Sequence, residues 1–115
     1  MTIRTLALAL AMCVASTSAF AAGDAEAGKT KAAACAACHG PDGNAGIDPQ
    51  YPRLAGQYRD YIAKALHEYK AGDRKNPIMA GFAGTLTDAD IEDLAAYFSS
   101  LEGSKLTDLH GKVSE

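Results

Sequence analysis

Cys35-Ala36-Ala37-Cys38-His39 is the stretch on which the architecture of this chain turns. Two thiols three residues apart, with a histidine directly behind them, have the spacing of a c-type haem attachment site. On one helical turn, side chains at i and i+3 share a face, so Cys35 and Cys38 can reach the two vinyl groups on one edge of a porphyrin. His39 follows at the position from which an imidazole bonds the iron axially. Ala36 and Ala37 are small enough for a macrocycle to lie close to the backbone.

Three other chemistries use a pair of this kind. A thioredoxin-like dithiol wants a βαβ setting, whereas the flanks here are alanine-rich and helical in pattern. A zinc site needs a second ligand pair, and no cysteine follows Cys38. A structural disulfide from i to i+3 would close a tiny loop and stabilise little. The haem site is favoured over all three.

Upstream lies a leader. Arg4 gives residues 1–5 one positive charge, residues 6–15 are an unbroken apolar run, and residues 16–21 end in Ala19-Phe20-Ala21. This is the pattern of a secretory signal peptide over residues 1–21, cut after Ala21. About ten apolar residues are too few to span a bilayer, and bulky Met12 before Cys13 argues against a lipid anchor. Removing 21 of the 115 residues leaves 94, one small domain whose thin core a buried cofactor would supplement. Export also suits thioether chemistry, which is completed outside the reducing cytosol.

Loss of Arg4 takes the net charge from −3 to −4. An acidic chain of this kind is not expected to bind nucleic acid or an anionic membrane. The charge is uneven: residues 53–75 hold six basic and three acidic side chains, and residues 86–102 hold five acidic and no basic ones. That asymmetry can orient partners, and is equally compatible with an ordinary solvated surface.

Periodicity predicts an all-α domain. Asp24 N-caps a helix over 25–34 with Glu26 in its first turn, and Gly28 inside it calls for a close-packed neighbour. Residues 40–57 read as loop, with Gly-Pro-Asp-Gly-Asn at 40–44 and prolines at 49 and 52; Leu54 is its best apolar contact. Residues 58–71 form an amphipathic helix ended by Gly72, with Tyr58, Ile62, Ala65, Leu66 and Tyr69 on one stripe. Residues 73–84 read as a second loop. Thr87 caps a last helix with Asp90 closing an imperfect capping box, and its stripe is Ile91, Leu94, Ala95, Phe98 and Leu101, flanked by Tyr97. Residues 102–115 read as a polar, loosely held C-terminal tail.

The sixth position on the iron has few candidates. Met79 is the only methionine left after the leader, in a Pro-containing segment rather than on a helix stripe, so it is favoured as distal ligand over a role as core filler. His67 falls on the polar side of its helix and His110 in the tail; both read as surface histidines. With both axial positions filled by protein, peroxide and oxygen find no vacant site, and one-electron transfer is the chemistry that remains.

The motifs Cys35 to His39, Pro52-Arg53-Leu54-Ala55-Gly56-Gln57, Pro77-Ile78-Met79 and the closing Asp90 to Phe98 resemble those of class I c-type cytochromes, in the same order. The small periplasmic bacterial kind, and single halves of two-haem members, are the most similar. The resemblance covers residues 23–101. It implies three main helices and long loops wrapped around one covalently bound haem c, with Cys35 and Cys38 as the thioether positions, His39 as proximal and Met79 as distal ligand. It further implies that the Pro52 carbonyl accepts a hydrogen bond from the proximal imidazole, and that Gly28 and Tyr97 mark the crossing of first and last helices. Ala32 departs from the pattern, since many relatives carry an aromatic residue there. The motif set occurs once, so one haem per chain is expected in a domain of residues 22–101.

The expectation is therefore a periplasmic, monomeric electron carrier without a membrane anchor. Its partners would be a quinol-oxidising complex and a terminal oxidase or reductase, docking briefly at an exposed haem edge near the thioethers. Two alternatives stand beside it: a peroxidase or gas-binding protein with an open iron, and a haem subunit of a larger oxidoreductase.

Overall fold

A computed structural model describes residues 22–44 and 48–106. The leader with Cys13, the end of the tail and His110 lie outside the described residues. Five helices follow in order: α1 (Ala25–Lys31), prolonged by a 3₁₀ turn (Ala32–Ala34); α2 (Ala36–His39); α3 (Arg59–Ala71); α4 (Pro77–Ala83); and α5 (Asp88–Ser100). No strand occurs among the described residues.

The helix ends are set by the residues the sequence offers. The Asp24 carboxylate accepts from the amides of Glu26 and Ala27. Thr87 and Asp90 form a complete capping box, each side chain accepting from the other's backbone amide at 3.1 and 2.8 Å. A cap of this kind stabilises a helix by about 1 kcal/mol. α3 stops at Gly72, whose φ of +84° is the left-handed conformation in which its amide reaches back to Glu68 and Tyr69.

Two expectations change. Residues 77–83, read as loop, are the helix α4. Asn76 accepts from the amides of Ile78 and Met79 at 3.0 and 3.1 Å, and Pro77 at the first position needs no hydrogen-bond partner. Tyr58 does not join the apolar stripe of α3. Its extended ψ of 132° places it before the first helical turn, and it is 63% exposed.

The core is formed where α5 meets α1 and α3. Ile91, Leu94, Ala95 and Phe98, four positions of the expected stripe, are buried against Ala32, Ile62 and Ala63. Ala32, the position that departs from the relatives, is therefore well covered at 6% exposure. α1 crosses α5 so closely that a Cβ on Gly28 would fall 2.0 Å from the Asp93 carbonyl oxygen and 2.8 Å from the Tyr97 Cβ. Both residues that the resemblance assigned to this crossing are found at it.

The crossing is also tied by charge. Lys31 Nζ lies 3.0 Å from Asp90 and 2.5 Å from Asp93 on α5, and Asp93 accepts from the Asp24 amide at 2.7 Å. The Thr87 amide, followed by Lys31, holds the Asp90 carboxyl down at about 2, and Lys31 and the Asp24 amide lower that of Asp93. Depressed carboxylates stabilise the fold above their unfolded value near 4, and that stabilisation is lost as pH falls towards 2. Replacing Lys31 by Met should therefore lower the denaturation midpoint at pH 6 and narrow the gap to wild type between pH 4 and pH 2, as read by helical circular dichroism. A gap that stays constant across that range would show that the pairs contribute nothing.

Residues 40–44 and 48–57 are tied together by backbone hydrogen bonds. Gly43 O accepts from the amides of Leu54 and Ala55 at 2.7 and 3.0 Å, and the Gly56 amide donates to Phe98 O at 2.9 Å. These bonds fold Pro52 and Leu54 back towards α2.

Candidate haem site

The helical turn at α2 brings the attachment pair into place. The amides of Cys38 and His39 both donate to Cys35 O, at 3.2 and 2.9 Å, so the i to i+3 spacing puts the two thiols on one side. Both cysteines are free and half-buried. Burial, followed by the neighbouring Cys38, pushes the Cys35 thiol up.

His39 follows at 5% exposure. Its Nδ1 lies 2.8 Å from Pro52 O. A carbonyl can only accept, so Nδ1 carries the proton and the lone pair sits on Nε2, the form of imidazole that ligates metals. The ring of Tyr51 meets His39 edge-on at 6.3 Å. The partner that the resemblance assigned to Pro52 is thus present, and Tyr51 adds a contact that periodicity could not indicate.

These side chains open onto a cavity of about 520 Å³, within the roughly 300–1,000 Å³ of cofactor sites. Cys35, Cys38, His39, Pro52 and Leu54 border it on one set of elements. α3 contributes Tyr61, Ile62, Ala65, Leu66 and Tyr69, and α4 contributes Ile78, Met79, Phe82 and Ala83. Leu94 and Phe98 of α5, with Ala34, Leu86 and Leu106, add to the apolar lining. All six residues that sequence reasoning named for the site therefore reach one cavity, including Met79, although it stands on a helix and not in a loop. His67 is not among the lining residues; its side chain is 45% exposed, with Nδ1 3.9 Å from Asp88.

Arg74 braces the α3 side. Its guanidinium lies over the rings of Tyr61 and Tyr69, at 5.9 and 5.2 Å from their centroids, with Glu68 at 3.8 Å. Such stacking fixes the two tyrosines that face the cavity.

The donor set discriminates between cofactors. Among the described residues no group of three His, Cys, Asp or Glu could hold a bare metal ion. One tied imidazole, one thioether sulfur and two thiols around apolar walls suit instead a metal that brings a large apolar ring of its own.

The family model for cytochrome c matches residues 25–102. The chain belongs to the cytochrome c family. It is 50% identical over 95 residues to cytochrome c4 of Stutzerimonas stutzeri, covering 75% of this chain and 45% of that protein. It is 46% identical over 84 residues to cytochrome c-554(548) of Halomonas halodenitrificans, covering 70% of this chain and 100% of that protein. The crystal structure of reduced recombinant cytochrome c4 from Pseudomonas stutzeri superposes with a TM-score of 0.66 at 50% identity, over 72% of this chain and 48% of that one. The chain thus spans about half the length of the cytochrome c4 proteins it matches. A cytochrome c carries covalently attached haem c, and Cys35 and Cys38 stand at the attachment spacing.

Proposed function

We propose that this cytochrome c domain is a single-electron carrier holding one haem c, with Cys35 and Cys38 as thioether positions and His39 and Met79 as axial ligands. The observation that carries the proposal is the meeting of the Pro52-tied imidazole and the chain's one remaining methionine on the same apolar cavity. Haem bound there supplies an iron that changes charge by one unit. Pro52 fixes the imidazole ring and tautomer; Leu54, Ile62, Leu66, Leu94 and Phe98 exclude water; Asn76 caps the helix that presents Met79. The Met79 thioether would be soft enough to suit both oxidation states of the iron.

Partners are redox proteins. Ile78, Phe82 and Tyr61, which border the cavity, are 52, 47 and 45% exposed. These exposed apolar side chains suit a brief contact of under about 1,200 Å², on the α3–α4 side as well as beside the thioethers. No helix among the described residues is long and apolar enough to cross a membrane. The leader pattern of residues 1–21 supports a carrier that works in the periplasm between membrane-bound donors and a terminal acceptor.

Oxidised and reduced absorption spectra of the mature protein, with its intact mass, test the proposal. The expected results are a mass increased by one haem and a sulfur–iron charge-transfer band in the oxidised protein. Carbon monoxide added to the reduced protein should bind slowly and weakly. Rapid, tight binding would establish an open iron and the peroxidase or gas-binding alternative.

A further inference from the structure

The segment that leaves α5 makes contacts that the carrier role does not by itself require. Residues 103–106 lie beyond the family match, which ends at residue 102. Asn44, 4% exposed, commits both ends of its side-chain amide to them. Its Nδ2 donates to Gly103 O at 3.1 Å, and its Oδ1 accepts from the Lys105 amide at 2.9 Å. Arg53 adds a second tie: Nε donates to Asn44 O at 2.8 Å and an Nη donates to Lys105 O at 3.4 Å.

The fit extends to the neighbouring residues. Gly56, at φ +75°, lies directly under Ser104: a Cβ on Gly56 would fall 2.5 Å from the Ser104 Cβ. Ser104 Oγ accepts from the Leu106 amide at 3.2 Å. Leu106, half-buried, then lines the same cavity as His39 and Met79.

The chemistry at residue 44 is demanding. A primary amide offers a donor and an acceptor in the geometry of a peptide group, so it can pair with the segment as a second backbone would. Alanine would leave Gly103 O and the Lys105 amide without these partners. Aspartate would keep the acceptor, lose the donor and place a charge where almost no solvent reaches.

We infer that Asn44 is a positioning residue that clasps residues 103–106 onto the haem cavity, making Leu106 part of the wall that keeps water from the iron. The inference rests on the proposed haem site. Its consequence is electrostatic. The oxidised haem carries one more positive charge than the reduced one, so water at the cavity favours oxidation, and excluding it raises the reduction potential.

Two variants of the haem-loaded protein, Asn44→Ala and Leu106→Ser, test this through amide hydrogen exchange, midpoint potential and the sulfur–iron band. Asn44→Ala should speed exchange of the Lys105 amide about tenfold or more and lower the potential with the band retained. Leu106→Ser should lower the potential with Lys105 still protected. Unchanged exchange in Asn44→Ala, or an unmoved potential in Leu106→Ser, would overturn the clasp; the second result decides even if Asn44→Ala does not fold. An unmodified protein lacking the band would overturn the haem-site proposal along with it, which separates the two failures.

Discussion

Replacing Met79 by Ala should abolish the sulfur–iron charge-transfer band, lower the midpoint potential and let carbon monoxide bind the reduced protein rapidly. Each effect follows from what the side chain supplies. A thioether is a weak, polarisable donor that stabilises reduced iron relative to oxidised iron; water entering the space left by the methionine does the reverse. The expected fall is on the order of 100 mV, a modest part of the roughly 0.8 V that axial ligands span across haem proteins. Stability should drop as well, by about 2–5 kcal/mol, the usual cost of truncating a buried methionine to alanine. His67→Ala is the matched control. That histidine lies off the cavity with its side chain 45% exposed, so its removal should leave band and potential in place. An unmodified protein without the band, whose potential falls with His67→Ala and not with Met79→Ala, would reverse the ligand assignment.

What could be read from the sequence divides along a physical line. Asp24, Thr87 and Asp90 cap helices through bonds that span at most three residues, and local chemistry of that range is written directly in the chain. The α5 stripe was equally legible, because a buried helix face repeats with the helix period. α4 was hidden by the same reasoning: Pro77, Gly81 and Gly84 suggest a loop, although Asn76-Pro77 is also a helix-start signal. Where the signals compete, packing against α3 and the cavity decides. Tyr51 and Tyr61 could not be placed, since one sits in a loop without period and the other lies beside the α3 stripe. The bonds of Asn44 to Gly103 and Lys105 join residues about sixty positions apart, and a polar tail gives no sign of them. The resemblance to cytochromes located Pro52 and the Gly28–Tyr97 crossing, which periodicity alone left open.

Gly28→Ala sets two effects of known size against each other. In an isolated helix alanine is better than glycine by about 1 kcal/mol, so α1 considered alone should gain. In the fold, the new Cβ would stand 2.0 Å from the Asp93 carbonyl oxygen and 2.6 Å from its carbon. These atoms belong to the backbone of α5 and cannot turn aside as a flexible side chain would. The helices must separate, which loosens the seat of Ile91, Leu94 and Ala95 and stretches the Lys31 pairs to Asp90 and Asp93. Overpacking usually costs about 1–3 kcal/mol, and a clash with backbone belongs at or above the top of that range, so the loss exceeds the gain. Urea denaturation of the haem-loaded variant should show a lower midpoint with an unchanged slope, while the sulfur–iron band persists because Met79 lies on α4, away from the crossing. A variant as stable as wild type would mean that α1 and α5 are farther apart than described, and that helix propensity governs the position.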